Sequence, residues 1–76
     1  MNRDEWIAAF ALELGVEPPT AAQSDQLLKL ASIAAHSSER PAAPLACWLA
    51  GTAGVDAERF LAAAEHLSQG NREEPA

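Results

Sequence analysis

An all-α fold, a compact bundle of four short helices, is what this sequence predicts. Three observations carry that expectation. Apolar residues recur at helical spacing in four segments, and each segment is bounded by a capping residue, a glycine or a proline. β-Branched residues nowhere alternate with polar ones, and Val16 and Val55 stand isolated, so no strand is expected.

The first helix is expected from Arg3 to Leu14. Asn2 caps its free amides, and Asp4 with Glu5 sets negative charge at the positive end of the helix dipole. Trp6, Phe10 and Leu14 fall at steps of four, with Ile7 and Ala11 widening the stripe. Gly15 offers a left-handed exit, and Pro18-Pro19 prevents continuation. The second helix starts at Thr20, where Thr20-Ala21-Ala22-Gln23 fits a capping box, with Ser24 as a rival start. Leu27, Leu28, Leu30, Ala31, Ile33, Ala34 and Ala35 give it a face wide enough for two neighbours, which makes it the expected central helix. It should end between His36 and Glu39, because Pro41 biases its predecessor away from helical geometry.

The third helix starts in the Pro41 to Pro44 region, where a missing amide proton costs nothing. Leu45, Trp48, Leu49 and Thr52 recur at helical spacing with Cys47 beside them, and Gly51 and Gly54 bracket the end. The fourth helix has Asp56 as its cap, Val55 and Phe60 as a staple, and Phe60, Leu61, Ala64 and Leu67 on its expected inner face. Gly70 is expected to stop it. The whole reads as one helical domain over residues 1–70, followed by a disordered polar tail over 71–76.

At 76 residues the chain lies near the lower limit for burying a core unaided, so a partner or second copy would add useful buried surface. Much of its 49% apolar content is alanine, which favours helix but buries little. Closely approached helices, rather than thick side-chain layers, are the expected core. A formal charge of −6 opposes nucleic-acid binding and binding to anionic membrane. A lone Cys47 and the lack of a signal-like or bilayer-length apolar run make the cytoplasm the expected location.

The most informative stretch is His36 to Gly51, where His36, Glu39 and Arg40 meet at the turn between two apolar helices. Read structurally, His36 bonds the last free carbonyls of its helix, and Glu39 and Arg40 clamp the turn. Read functionally, His36 and Arg40 present donors to an anion or a partner carboxylate, with Glu39 orienting either group. Pro41 and Pro44 weaken an anion site by removing amide donors. Catalysis lacks a convincing nucleophile near His36, and no catalytic residue is assigned. Cys47 would need exposure and a positive neighbour to react.

Nor do His36, His66 and Cys47 show a metal-ligand spacing, and neither metal nor cofactor is expected. Gly51-Thr52-Ala53-Gly54 lacks the length and lysine of a phosphate loop. A recognition helix over Pro44 to Thr52 would offer Leu, Ala and Trp where DNA readers carry Arg, Asn or Gln. Trp6 and Trp48 are expected as core filling, the alternative being that one indole anchors an interface.

Asp4-Glu5-Trp6, Glu13-Leu14-Gly15, Ala35-His36, the run Glu39 to Leu45 and Leu49-Ala50-Gly51 carry a family likeness over about Asn2 to Leu67. Through them the chain resembles a small actinobacterial helical domain family of unknown function. Members of that family stand alone or are attached to nucleotidyltransferase-like proteins of molybdopterin-guanine dinucleotide biosynthesis. The resemblance implies an accessory role near molybdenum-cofactor maturation, without transfer chemistry, since the transferase's nucleotide loop is absent. The expected function is a non-catalytic protein-interaction module using His36, Glu39, Arg40 and Trp48. Its expected partner is a protein, a nucleotidyltransferase or a second copy in a homodimer. The alternative is a small anionic-ligand or cofactor-binding domain built on His36 and Arg40.

Overall fold

The computed structural model describes residues 1–73, with side chains through residue 69. Four helices form an all-α bundle: α1 (Arg3–Leu14), α2 (Ala21–Ser37), α3 (Ala42–Ala53) and α4 (Ala57–Glu73), with no strand among the described residues. α2 is the hub. It packs along both α3 and α4, whereas α1 makes little close backbone contact with the rest. The molecule is accordingly elongated, 47 × 24 × 18 Å.

Local signals fix the helix starts. The Asn2 side chain accepts from the Glu5 amide at 2.8 Å, and the Glu5 carboxylate accepts from the Asn2 amide at 2.9 Å. This reciprocal pair satisfies two donors that a helix start leaves free. Thr20 and Gln23 repeat it at α2, at 3.1 and 2.9 Å, so Thr20 rather than Ser24 is the cap. At α4 the Asp56 carboxylate accepts from the Arg59 amide at 3.0 Å.

The exits are equally local. Gly15 sits at φ +72°, its amide reaching the Leu12 carbonyl while the Val16 amide reaches Ala11, the paired bonds of a Schellman end. Gly54 closes α3 at φ +67°. Gly70 behaves otherwise: α4 runs through it to Glu73, three residues past the expected stop. A glycine weakens a helix interior by roughly 1 kcal/mol but ends a helix only where the chain turns left-handed. Of the expected tail, residues 74–76 lie outside the described part.

The core is thin. Among the described residues only Ala11, Leu30 and Ala50 are buried, Leu30 being the one large side chain of the three. Around them lie half-buried Leu27, Ala31, Ile33 and Ala34 of α2, Ala43, Ala46 and Cys47 of α3, and Phe60, Leu61 and Ala64 of α4. Small residues on α3 bring it close to α2, and the Cys47 thiol touches the Leu27 backbone carbonyl at 3.7 Å. The Lys29–Glu65 ion pair, at 3.8 Å, spans α2 and α4. Both partners are exposed, so it adds little.

Expectations about the inward faces of three helices are overturned. On α3 the bulky stripe points outward: Leu45 is 65%, Trp48 68% and Leu49 61% exposed. The inward face is the alanine face, offset by one position, because only small side chains permit the short spacing that Cys47 registers. On α1, Trp6, Phe10 and Leu14 are exposed, and Trp6 stacks on Phe10 with ring centroids 5.1 Å apart. Neither tryptophan fills the core. Leu67, expected inside α4, is exposed as well.

Candidate functional site

The α2–α3 corner is shaped by where α2 must stop. Ser38 leaves helical geometry at φ −136°, ψ −103°, although its amide still reaches the Ala34 carbonyl. The chain re-enters a helix at once. The Ala42 and Ala43 amides donate to the Glu39 and Arg40 carbonyls at 2.9 and 3.0 Å, and Pro41 stands at the N-cap without a side-chain bond. Glu39 and Arg40 therefore form the lead-in turn of α3, and Trp48 lies about 12 Å further along that helix at 1.5 Å per residue.

His36 is exposed, yet one ring nitrogen is already engaged. Its Nδ1 lies 2.7 Å from the Ser32 carbonyl, one turn back. A carbonyl only accepts, so Nδ1 carries the proton and donates, which leaves Nε2 free toward solvent. The Ser32 hydroxyl stands 3.3 Å from the same nitrogen. Glu39 and Arg40 are exposed. No side-chain hydrogen bond or ion pair ties either of them to another described residue. Beside them the Ser37 hydroxyl is sheltered from water without a partner. An unsatisfied buried hydroxyl of this kind costs about 1–3 kcal/mol.

Two grooves lie elsewhere. One, about 590 Å³, separates α1 from the first half of α2, with Ile7, Ala8, Pro18, Pro19, Leu27 and Leu28 among its lining. The other, about 630 Å³, lies where α2 meets the α3–α4 junction and includes Gln23, Gln26, Gly51, Asp56 and Glu58. His36, Glu39, Arg40 and Trp48 line neither. The four residues singled out in the sequence are thus exposed and lie outside both grooves.

Trp48, expected from sequence as core filling, lies instead on an exposed apolar face. Leu45, Trp48 and Leu49, at spacings of three and four, form one outward stripe along α3. The signal that would have revealed its direction is the alanine run at 42, 43, 46 and 50, the only α3 face small enough for close packing. Cys47 belongs to that inner face. It is half-buried, and burial pushes its thiol pKa above the ordinary value, which keeps it protonated and unreactive. Among the described residues no three His, Cys, Asp or Glu side chains gather into a metal-holding group. No helix there is long and apolar enough to cross a membrane.

A small helical domain with an open polar corner and an apolar helix face is what fold and surface together define. The chain belongs to the family described as a domain of unknown function, DUF6457, whose model matches residues 1–75. No curated protein and no solved structure matches it.

Proposed function

We propose that this domain is a non-catalytic accessory module that binds a protein partner through the outer face of α3. The observation that carries the reading is Trp48, 68% exposed between Leu45 and Leu49 on a helix with no charged residue. Large exposed apolar patches on small proteins mark docking sites, and tryptophan is enriched among the residues that dominate binding energy. His36, Glu39 and Arg40 form the polar rim at the N-terminal end of that face. There the Arg40 fork reads a partner carboxylate and His36 Nε2 offers a second polar contact.

Resemblance to helical domains of actinobacteria, found alone or joined to molybdopterin-guanine dinucleotide proteins, supports a nucleotidyltransferase of molybdenum-cofactor maturation as the partner. It supports the cytoplasm as the place of action too. The competing reading, an anionic-ligand site on His36 and Arg40, has less support. His36 Nδ1 is committed to Ser32, and neither groove is lined by either residue.

Affinity capture from the native cell, with wild-type, Trp48→Glu and Arg40→Ala proteins checked for equal helicity, tests the proposal. A specific partner is expected with the wild type, lost with Trp48→Glu and weakened with Arg40→Ala. A partner retained at full strength by both variants, or no specific partner at all, refutes it.

A further inference from the structure

We propose that the groove where α2 meets the α3–α4 junction binds a small organic cation, an amidinium, guanidinium or ammonium group carried on an apolar body. The groove holds about 630 Å³, inside the range of about 300–1,000 Å³ that small-molecule sites occupy. Leu45, Trp48 and Leu49 do not line it, so the site stands apart from the docking face of α3.

Its polar lining is one-sided. Asp56 and Glu58 border the groove with Gln23 and Gln26, and no lysine, arginine or histidine does. One Asp56 oxygen accepts from the Arg59 amide at 3.0 Å, which leaves the second oxygen available. The Glu58 side chain makes no hydrogen bond or ion pair with another described residue. The positive end of the α4 dipole also lies at this junction, but its partial charge of about one half is outweighed by two full carboxylates.

The exit of α3 adds acceptors. At the end of α1 the Gly15 and Val16 amides fold back onto the Leu12 and Ala11 carbonyls. Gly54 makes the same left-handed turn at φ +67°, yet among the described residues neither its amide nor that of Val55 returns a bond to α3. The carbonyls of Gly51, Thr52 and Ala53 are left without a backbone donor, at the negative end of the α3 dipole. Gly51 and Gly54 both line the groove, which sets this acceptor-rich helix end at its edge.

An organic cation suits this lining better than a metal ion. Among the described residues no three His, Cys, Asp or Glu side chains gather to hold a metal. Separated carboxylates and carbonyls match the spread N–H donors of an amidinium or guanidinium instead. Leu27, Val55 and Phe60 supply apolar lining for the body of the ligand. The groove between α1 and α2 is of mixed sign, since Arg3 lies in its lining and pairs with Asp4 at 2.9 Å. A net charge of −6 draws cations toward the molecule and turns anions away.

Amide NMR of the isotope-labelled full chain, titrated with benzamidine, neutral benzamide and benzoate, reads the result. The three probes share a shape and differ in charge. Benzamidine is expected to shift the amides of Gln26, Gly51, Gly54 and Glu58 saturably at millimolar concentration, benzamide about tenfold more weakly, and benzoate not at all. Asp56→Asn keeps a good helix cap, and combined with Glu58→Gln it should weaken benzamidine by about tenfold at unchanged helicity. Glu13→Gln with Glu65→Gln removes the same charge outside the groove and should change the affinity by less than about twofold.

Benzamidine shifts that scatter without saturating, or benzamide binding as tightly, overturn the proposal. So does an Asp56→Asn/Glu58→Gln protein that binds benzamidine unchanged, or an equal loss in the Glu13→Gln/Glu65→Gln control. A capped pentapeptide with one central arginine that binds more tightly than benzamidine overturns the free small molecule as occupant, in favour of a protein side chain.

Discussion

Replacing Leu30 with alanine, and separately Leu45 with alanine, deletes the same side-chain atoms from two helices that both look apolar in sequence. Leu30 is 4% exposed and Leu45 is 65% exposed. Truncating a buried leucine costs about 2–5 kcal/mol, because the cavity left behind adds to the lost transfer energy. A chain of 76 residues has only about 4–11 kcal/mol of stability in total. For Leu45, full burial would be worth about 1.5–3 kcal/mol, of which roughly a third applies at this exposure. Alanine returns about 0.2 kcal/mol in helix propensity, so the net loss stays below about 1 kcal/mol.

Urea unfolding followed by far-ultraviolet circular dichroism measures both. With a slope near 1 kcal/mol per M for so small a chain, Leu30→Ala should lower the midpoint by about 2 M or more, and Leu45→Ala by less than about 1 M. Repeating the titration at lower protein concentration separates folding from association, since any share due to a second copy depends on concentration. Equal, concentration-independent losses at the two positions would refute the assignment of α3's inner and outer faces.

The two glycines of α3 should respond oppositely to alanine. Gly51 lies inside the helix with open space where a Cβ would go, so Gly51→Ala should raise stability by about 0.5–1 kcal/mol. Gly54 holds φ +67°, and Gly54→Ala should lower it by roughly 1–2 kcal/mol, with melting temperatures moving in opposite directions. Cys47 should alkylate slowly in the folded protein and rapidly once urea unfolds it. Its raised folded-state pKa means the unfolded thiol ionises first, so stability should fall as pH rises past the ordinary thiol value of about 8.5. That slope should vanish in Cys47→Ala.

Every helix boundary but the end of α4 was legible in the sequence because the signals are local. Asn2, the Thr20–Gln23 pair, Gly15 and Asp56 each act within one turn and need no tertiary context. The hub role of α2 was legible too, since its apolar arc is too wide for one neighbour. The facing of α3 was not. Both of its faces are apolar with the same period, and choosing the larger side chains as core selects the wrong one when close approach decides. Trp6 and Trp48 were misplaced by the same preference for bulk. At the corner, His36 was expected on the last free carbonyls of α2, whereas its ring folds back along its own helix to the Ser32 carbonyl one turn earlier.

The standoff of α1 has a dynamic consequence. Its capping box and Schellman end are self-contained, and it faces α2 across a groove instead of a packed seam. Its amides are thus protected by bonds that open without disturbing Leu30. Hydrogen exchange there would proceed through local fraying, and the slowest amides would lie along α2, which opens only when the whole molecule unfolds.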